Sequence, residues 1–236
     1  ASGGPKAITI LAGVNTATGN PMYLKADGSL VQRNSISGAY FTATGKNDAT
    51  MTAANQTSLT DADKVNLGNS LPTFFGAFTN TLNLKNFSFE FMFRFQGGNK
   101  IMNITRQEAL LSQNFHNNST EIMNRWKNPG DVTDVPRLRY AQSATVNQTG
   151  QAISRFVEDG NYFRLQNLVF SYNLGNALQG KSNGYMKNAR IFIQGQNLLT
   201  FTKYMGLDPD NASQAGQDNA VSPTLRIVSF GFSAGF

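Results

Sequence analysis

Cysteine is absent from the 236 residues, and histidine and tryptophan occur once each. The first absence excludes a disulfide framework and thiolate metal sites. The lone His116, in NFHNNST, has no second imidazole beside it, so neither a zinc site nor a Ser-His-Asp arrangement can be assembled around it; it is read as a polar loop residue. Charge is also sparse, at 14% of residues against 40% apolar ones. Even so, no run approaches the ~20 consecutive apolar residues of a membrane-spanning helix, which excludes a helical membrane protein. The net charge of +6 is spread along the chain, with seven Lys/Arg in 1–98, seven in 99–160 and six in 161–236. With no basic cluster and no recognisable module, no nucleic-acid partner is expected. The opening ASGGPKAITI has no charged stretch leading into a long apolar one. No signal peptide is read there, and a piece of a longer exported protein is expected.

What is present favours strands and turns: 18 Phe, 7 Tyr and 22 Gly, with abundant Asn, Thr and Ser. The clearest periodicity is NFSFEFMFRFQ, where Phe87, Phe89, Phe91, Phe93 and Phe95 alternate with Ser88, Glu90, Met92, Arg94 and Gln96. One face of this strand is apolar. The other carries charges that a dry core would have to pair, which suits a wet lumen better. Strands are expected over about 71–84, 86–98, 162–174, 189–201 and 224–236, with 6–14 as the tail of a sixth. The first two form a hairpin through Lys85 and Asn86. In 162–174 the apolar phase changes near Gln166, so a β-bulge is expected there. Most of these segments exceed the ~9–11 residues that cross a bilayer as a tilted strand.

Short connections (85–86 and 175–188) alternate with long polar ones (15–70, 97–161 and 202–223), the pattern of periplasmic turns and extracellular loops in an outer-membrane barrel. Five or six strands cannot close such a barrel, so the rest of the wall must come from elsewhere. The last strand, with Val228, Phe230, Phe232, Ala234 and Phe236 on one phase, resembles the C-terminal strand of outer-membrane proteins. That resemblance implies an assembly signal at Phe232 and Phe236.

Three segments in order, NRWKNPGDVTDVPR (Asn124 to Arg137), GNYFRLQNLVFSYNL (Gly160 to Leu174) and ARIFIQGQNLLTFTKYMGLDPD (Ala189 to Asp210), resemble the SusC/RagA family of TonB-dependent transporters. NLGNSLPTFFGAF extends the resemblance upstream, and GVNTATGNPMY does so weakly. The resemblance implies an all-β fold in which this chain is the C-terminal five to six strands of a 22-stranded transmembrane antiparallel β-barrel holding a plug. It further implies a SusD-like surface lipoprotein as lid, a TonB complex reached through a part absent here, the lipid bilayer and lipopolysaccharide as surroundings, and oligosaccharide or peptide cargo. No cofactor, metal or enzymatic chemistry is expected. LDPDN, with Asp208 and Asp210, is read as a turn rather than a cation site. By phase alone, Glu90, Arg94, Arg190, Gln194 and Gln196 face the lumen, where they either steer substrate or hold the plug. Arg125 and Trp126 either stack on cargo or anchor their loop. The competing readings are a soluble β-sandwich binding module, with the Phe face as its core, and a passive porin.

Overall fold

The computed structural model describes residues 8–110, 117–139, 152–175 and 188–235, apart from the side chains of residues 109 and 110. Lys6, His116, Phe236 and most of the connection expected at 175–188 lie outside the described residues. In chain order the strands are β1 (Ile10–Val14), β2 (Pro21–Leu24), β3 (Leu30–Arg33), β4 (Tyr40–Ala43), β5 (Gln56–Thr57) and β6 (Phe74–Leu84). They continue with β7 (Phe87–Gly97), β8 (Lys100–Asn103), β9 (Val157–Asp159), β10 (Tyr162–Asn173), β11 (Asn188–Thr202), β12 (Gln217–Asp218) and β13 (Ile227–Gly235).

The five longest strands form one antiparallel sheet in the order β13-β11-β10-β7-β6. Its register follows from the alternation of side chains. Phe78, Phe93, Leu165 and Leu199 stand opposite one another across four strands, and Tyr172, Ile191 and Phe232 across three. Phe87, Phe89, Phe91, Phe93 and Phe95 thus share a face with Phe163, Phe170, Ile193, Phe201 and Phe230. Aromatic rings meet along it, Phe93 on Phe163 at 4.8 Å between centroids and Phe87 on Tyr172 at 4.7 Å. Nothing covers this face among the described residues: Phe230 is 81% exposed and Phe78 54%. So large a contiguous apolar surface is foreign to a soluble monomer.

Two local features hold the register. Lys85 takes a positive φ of 53°, which closes the β6–β7 hairpin in two residues. At Gln166 the pairing shifts on both sides of β10, as the change of apolar phase predicts; the displaced amide donates to Asn197 Oδ1 at 2.8 Å. That extra residue returns Leu168 and Phe170 to the apolar face.

Among the described residues the sixth wall strand expected over 6–14 is not found. Ile10–Val14 is a strand, but it pairs with β2 at the edge of a second sheet ordered β1-β2-β3-β4-β5. The physical reason is local: a bulge at Gly13 and an Asn15 side chain accepting from Ala17 N and Thr18 N turn the chain after five residues. Residues 15–70 are accordingly no open loop but a meander of short strands, reversing at Asn15–Asn20, Lys25–Ser29 and Asn34–Ala39. A third, three-stranded sheet ordered β12-β8-β9 joins it. Tyr23, Val31, Met102, Ile153 and Phe156 form a core between these pieces, so the long connections build one lobe. The lobe meets the wall where β7 ends and β10 begins, through Gly98 N to Asn161 Oδ1 at 2.8 Å and Gly160 N to Asn99 O at 2.9 Å. The turn at Lys85 and the end of β13 lie at the opposite end of the strands.

Arginine in place of Phe91, midway along the apolar face, is expected to cost about 2–4 kcal/mol against hydrocarbon. Arginine for Met92, its neighbour on the polar face, is expected to cost less than ~1 kcal/mol, since lumen positions tolerate charge. Urea titration of the assembled full-length protein, read by heat-modifiable migration, checks the contrast.

Candidate functional site

The opposite face of the wall is polar because every second residue of β7, β10 and β11 points there. Two of its arginines are committed to one loop. Arg94 holds the Asp210 carboxylate with both terminal nitrogens, at 2.9 and 3.1 Å, and Tyr162 Oη donates to the same carboxylate at 2.8 Å. Next to it, Arg164 pairs with Asp208 and lies 3.5 Å from Asp210; its Nε donates to Thr200 Oγ1 at 3.1 Å. The Arg164 and Asp208 side chains are only 2% and 6% exposed. Both guanidinium groups lie over the Tyr162 ring, at 5.9 and 5.1 Å.

The loop side is equally organised. Asp208 caps a single 3-10 turn, Pro209–Asn211, accepting from Asp210 N at 3.0 Å and from Thr224 N at 3.2 Å. Burial pushes this carboxyl up, but the backbone donors and Arg164 outweigh it and hold it below the usual carboxylate range. LDPDN is therefore a turn, and its acids answer arginines. No group of acids and histidines suited to a metal ion occurs among the described residues.

The remaining lumen candidates are dispersed. Glu90 stands opposite Val169 and Thr81 and makes no ion pair among the described residues. Gln194 donates to Asn167 Oδ1 at 2.9 Å, Gln196 stands opposite Asn167 and Ile227, and the exposed Arg190 lies over the Phe192 ring at 5.2 Å. They form a stripe along the polar face rather than a pocket. Phe232 is exposed on the apolar face, opposite Ile191.

Trp126 is turned into the lobe, whereas Arg125 is half-buried and folds back on its own turn. Trp126 is 7% exposed; its Nε1 donates to Thr16 O at 2.9 Å, and Arg137 covers its ring at 5.2 Å. Arg125 donates to Ile122 O at 3.3 Å. Trp126 is thus a loop anchor, clamping the Asn15–Asn20 turn against 124–137. Gly19 lies beneath the ring with φ +72°, where a Cβ would come within 2.5 Å of the indole.

Sequence reasoning missed a second charge cluster, inside the lobe. Arg106 grips Glu121 at 2.8 and 2.6 Å and reaches Glu158 at 3.2 Å, while Arg155 meets Glu121 at 2.6 Å. Both arginines cover Phe156, and Glu158 also accepts from Met205 N at 2.7 Å. Glu121 lies 15 positions from Arg106 and 34 from Arg155, in stretches without periodicity, so no signal in the sequence links them. Arg164 was legible in principle, as an arginine on the polar phase of a strand whose neighbour, β11, runs into an acidic loop.

No protein-family profile matches the chain. It is 34% identical to TonB-dependent receptor P3 of Formosa agariphila over 188 residues, which is 75% of this chain and 18% of the relative. It is 28% identical to TonB-dependent receptor P26 of the same organism over 183 residues. The chain belongs to the TonB-dependent receptors. It spans less than a fifth of the length of these relatives. The RagAB peptide importer in its open-open state superposes with a TM-score of 0.67 over 97% of this chain and 22% of that one, at 21% identity. A second structure of the RagAB peptide transporter gives 0.66 at 22% identity. Those likenesses establish the fold, a stretch of RagA-type barrel wall, and the family is the one that the three motifs resemble. TonB-dependent receptors are transport proteins and not enzymes, in agreement with the expectation of no covalent chemistry.

Two predictions test the lobe of this receptor. Alanine at Gly19 adds both a clash and an unfavourable φ, and is expected to cost about 1–3 kcal/mol; hydrogen exchange should quicken in 15–20 and 124–137 and not in β7 or β10. Burial raises the Glu121 carboxyl, yet Arg106 and Arg155 hold it below its ordinary value of 4.5. The stabilisation is therefore present above about pH 4.5 and is lost as pH falls through the depressed folded value. Hydrogen exchange at 119–124 and 154–158 should accelerate on acidification in the wild type more than in Glu121→Gln.

Proposed function

We propose that this chain is wall and outer loops of a nutrient importer in the outer membrane of a Gram-negative bacterium. The observation that carries the reading is the division of one sheet: strands of 9 to 15 residues, one face exposed Phe, Leu and Ile, the other polar with Arg94 and Arg164 ion-paired. A soluble sandwich would cover the Phe face with a second sheet, and among the described residues none lies there. The long connections gather at one end in the lobe, which in this reading is the cell-surface side, and Lys85 marks the periplasmic side.

Cargo and energy are proposed from the family. The cargo is an oligopeptide or oligosaccharide, too bulky for passive diffusion. The energy comes from a TonB complex acting on a plug outside this chain. A SusD-like lipoprotein closes over the lobe, as the partnered RagAB importer suggests. Glu90, Arg190, Gln194 and Gln196 line the passage or hold the plug by hydrogen bonds, and Phe232 with Phe236 completes the assembly signal.

Deletion of the full-length gene in its host is expected to abolish growth on oligopeptides or on oligosaccharides as sole nutrient while leaving growth on the monomers unchanged. Loss of TonB should reproduce the defect, and the lipoprotein should co-purify in mild detergent. Uptake that survives loss of TonB would instead identify a passive porin.

A further inference from the structure

The connection from Thr202 to Ile227 joins neighbouring strands, β11 and β13, which a turn of two to five residues could link. The chain takes a far longer route. It leaves β11, crosses the polar face of β10 and meets Arg94 on β7, two strands and roughly 10 Å away. It then pairs Gln217–Asp218 alongside Met102–Asn103 of β8, accepts from Ser70 Oγ through Gln214 O, and returns. Asn211 Nδ2 to Ser222 O at 2.6 Å and Asn197 Nδ2 to Leu225 O at 3.0 Å tie the returning limb. Every anchor lies on the polar side of the wall or at its rim.

We propose that 203–226 is a fixed sill folded into the mouth of the barrel, with Arg94 and Arg164 as its positioning residues, rather than a surface loop that reaches outward toward a lid. The proposal rests on the barrel reading above. Its physical basis is the Arg164–Asp208 pair. With both side chains almost wholly buried, withdrawing either partner strands a charge away from water, so the loop cannot swing out without breaking the pair. Arg94 and Tyr162 fix the next residue but one, Asp210, and the Pro209–Asn211 turn between the two acids leaves no slack. The sill narrows the mouth on this side, and its width is set by the two ion pairs and not by a partner.

The test uses the full-length receptor in the outer membrane of intact cells. Cysteine at Ala215, exposed at the tip of the sill, is treated with a small charged maleimide or with a long polyethylene-glycol maleimide. The wild-type sill is expected to react roughly tenfold more slowly with the large reagent. Asp208→Asn/Asp210→Asn should erase that difference by raising the open population. In a separate Arg94→Cys/Asp210→Cys variant, a bifunctional thiol crosslinker that spans the place of the arginine side chain should bridge the two cysteines and leave nutrient uptake intact. Equal labelling of the wild type by both reagents, discrimination that survives loss of both aspartates, or uptake blocked by the crosslinked bridge would each overturn the proposal. Cysteine at Phe230 is the control for the wall itself: it should react with a lipid-soluble maleimide and not with the charged one. Reaction with the charged reagent would sink the barrel reading, whatever the sill does.

Discussion

A strand sends alternate side chains to opposite faces, and in this chain that constraint is carried through five neighbours in register. Once Phe87 to Phe95 are committed to one side, Glu90 and Arg94 have no choice but the other. An apolar band with no protein over it requires hydrocarbon, and hydrocarbon requires that the backbone be paired strand to strand with no open edge. The exposed edges of β6 and β13 thus belong to a larger closed sheet. The bulge at Gln166 belongs to the same logic, because without it the second half of β10 would present its apolar side chains to the lumen.

The polar face inherits the converse problem. Arginines there are costly to leave unpaired, and Arg94 and Arg164 are answered by Asp210 and Asp208 from the loop that follows β11. The same device recurs in the lobe, where Arg106 and Arg155 share Glu121 above Phe156. In both places a guanidinium lies over an aromatic ring while its nitrogens are taken by carboxylates, which satisfies a group that is costly to bury unpaired. These clusters fix loop positions more than they add stability. They are why the long connections form defined shapes without regular secondary structure.

The wall is a scaffold, and the lobe is a small globular body with its own apolar core, braced on the wall through Gly98, Asn99, Gly160 and Asn161. Within the lobe Trp126 is locked under Arg137 and over Gly19. Its indole is buried, although its position beside Arg125 in a polar loop reads equally well as a stacking platform.

The five wall strands, their faces, the hairpin at Lys85 and the bulge at Gln166 were determined by the sequence itself, because period-two alternation and two-residue turns are local signals. The family was legible too, in the motifs around Trp126, Tyr162 and Asp208. The strand at Ile10–Val14 was legible as a strand and not as a member of the lobe, because its partner is chosen by the turn at Asn15 and by the core under Tyr23. What only the tertiary structure decided was which charges meet. Arg94 and Asp210 are 116 positions apart, and no periodicity relates a strand residue to a loop acid. Their pairing exists because a loop is folded back over the polar face, and that depends on shape, burial and the cost of leaving an arginine alone.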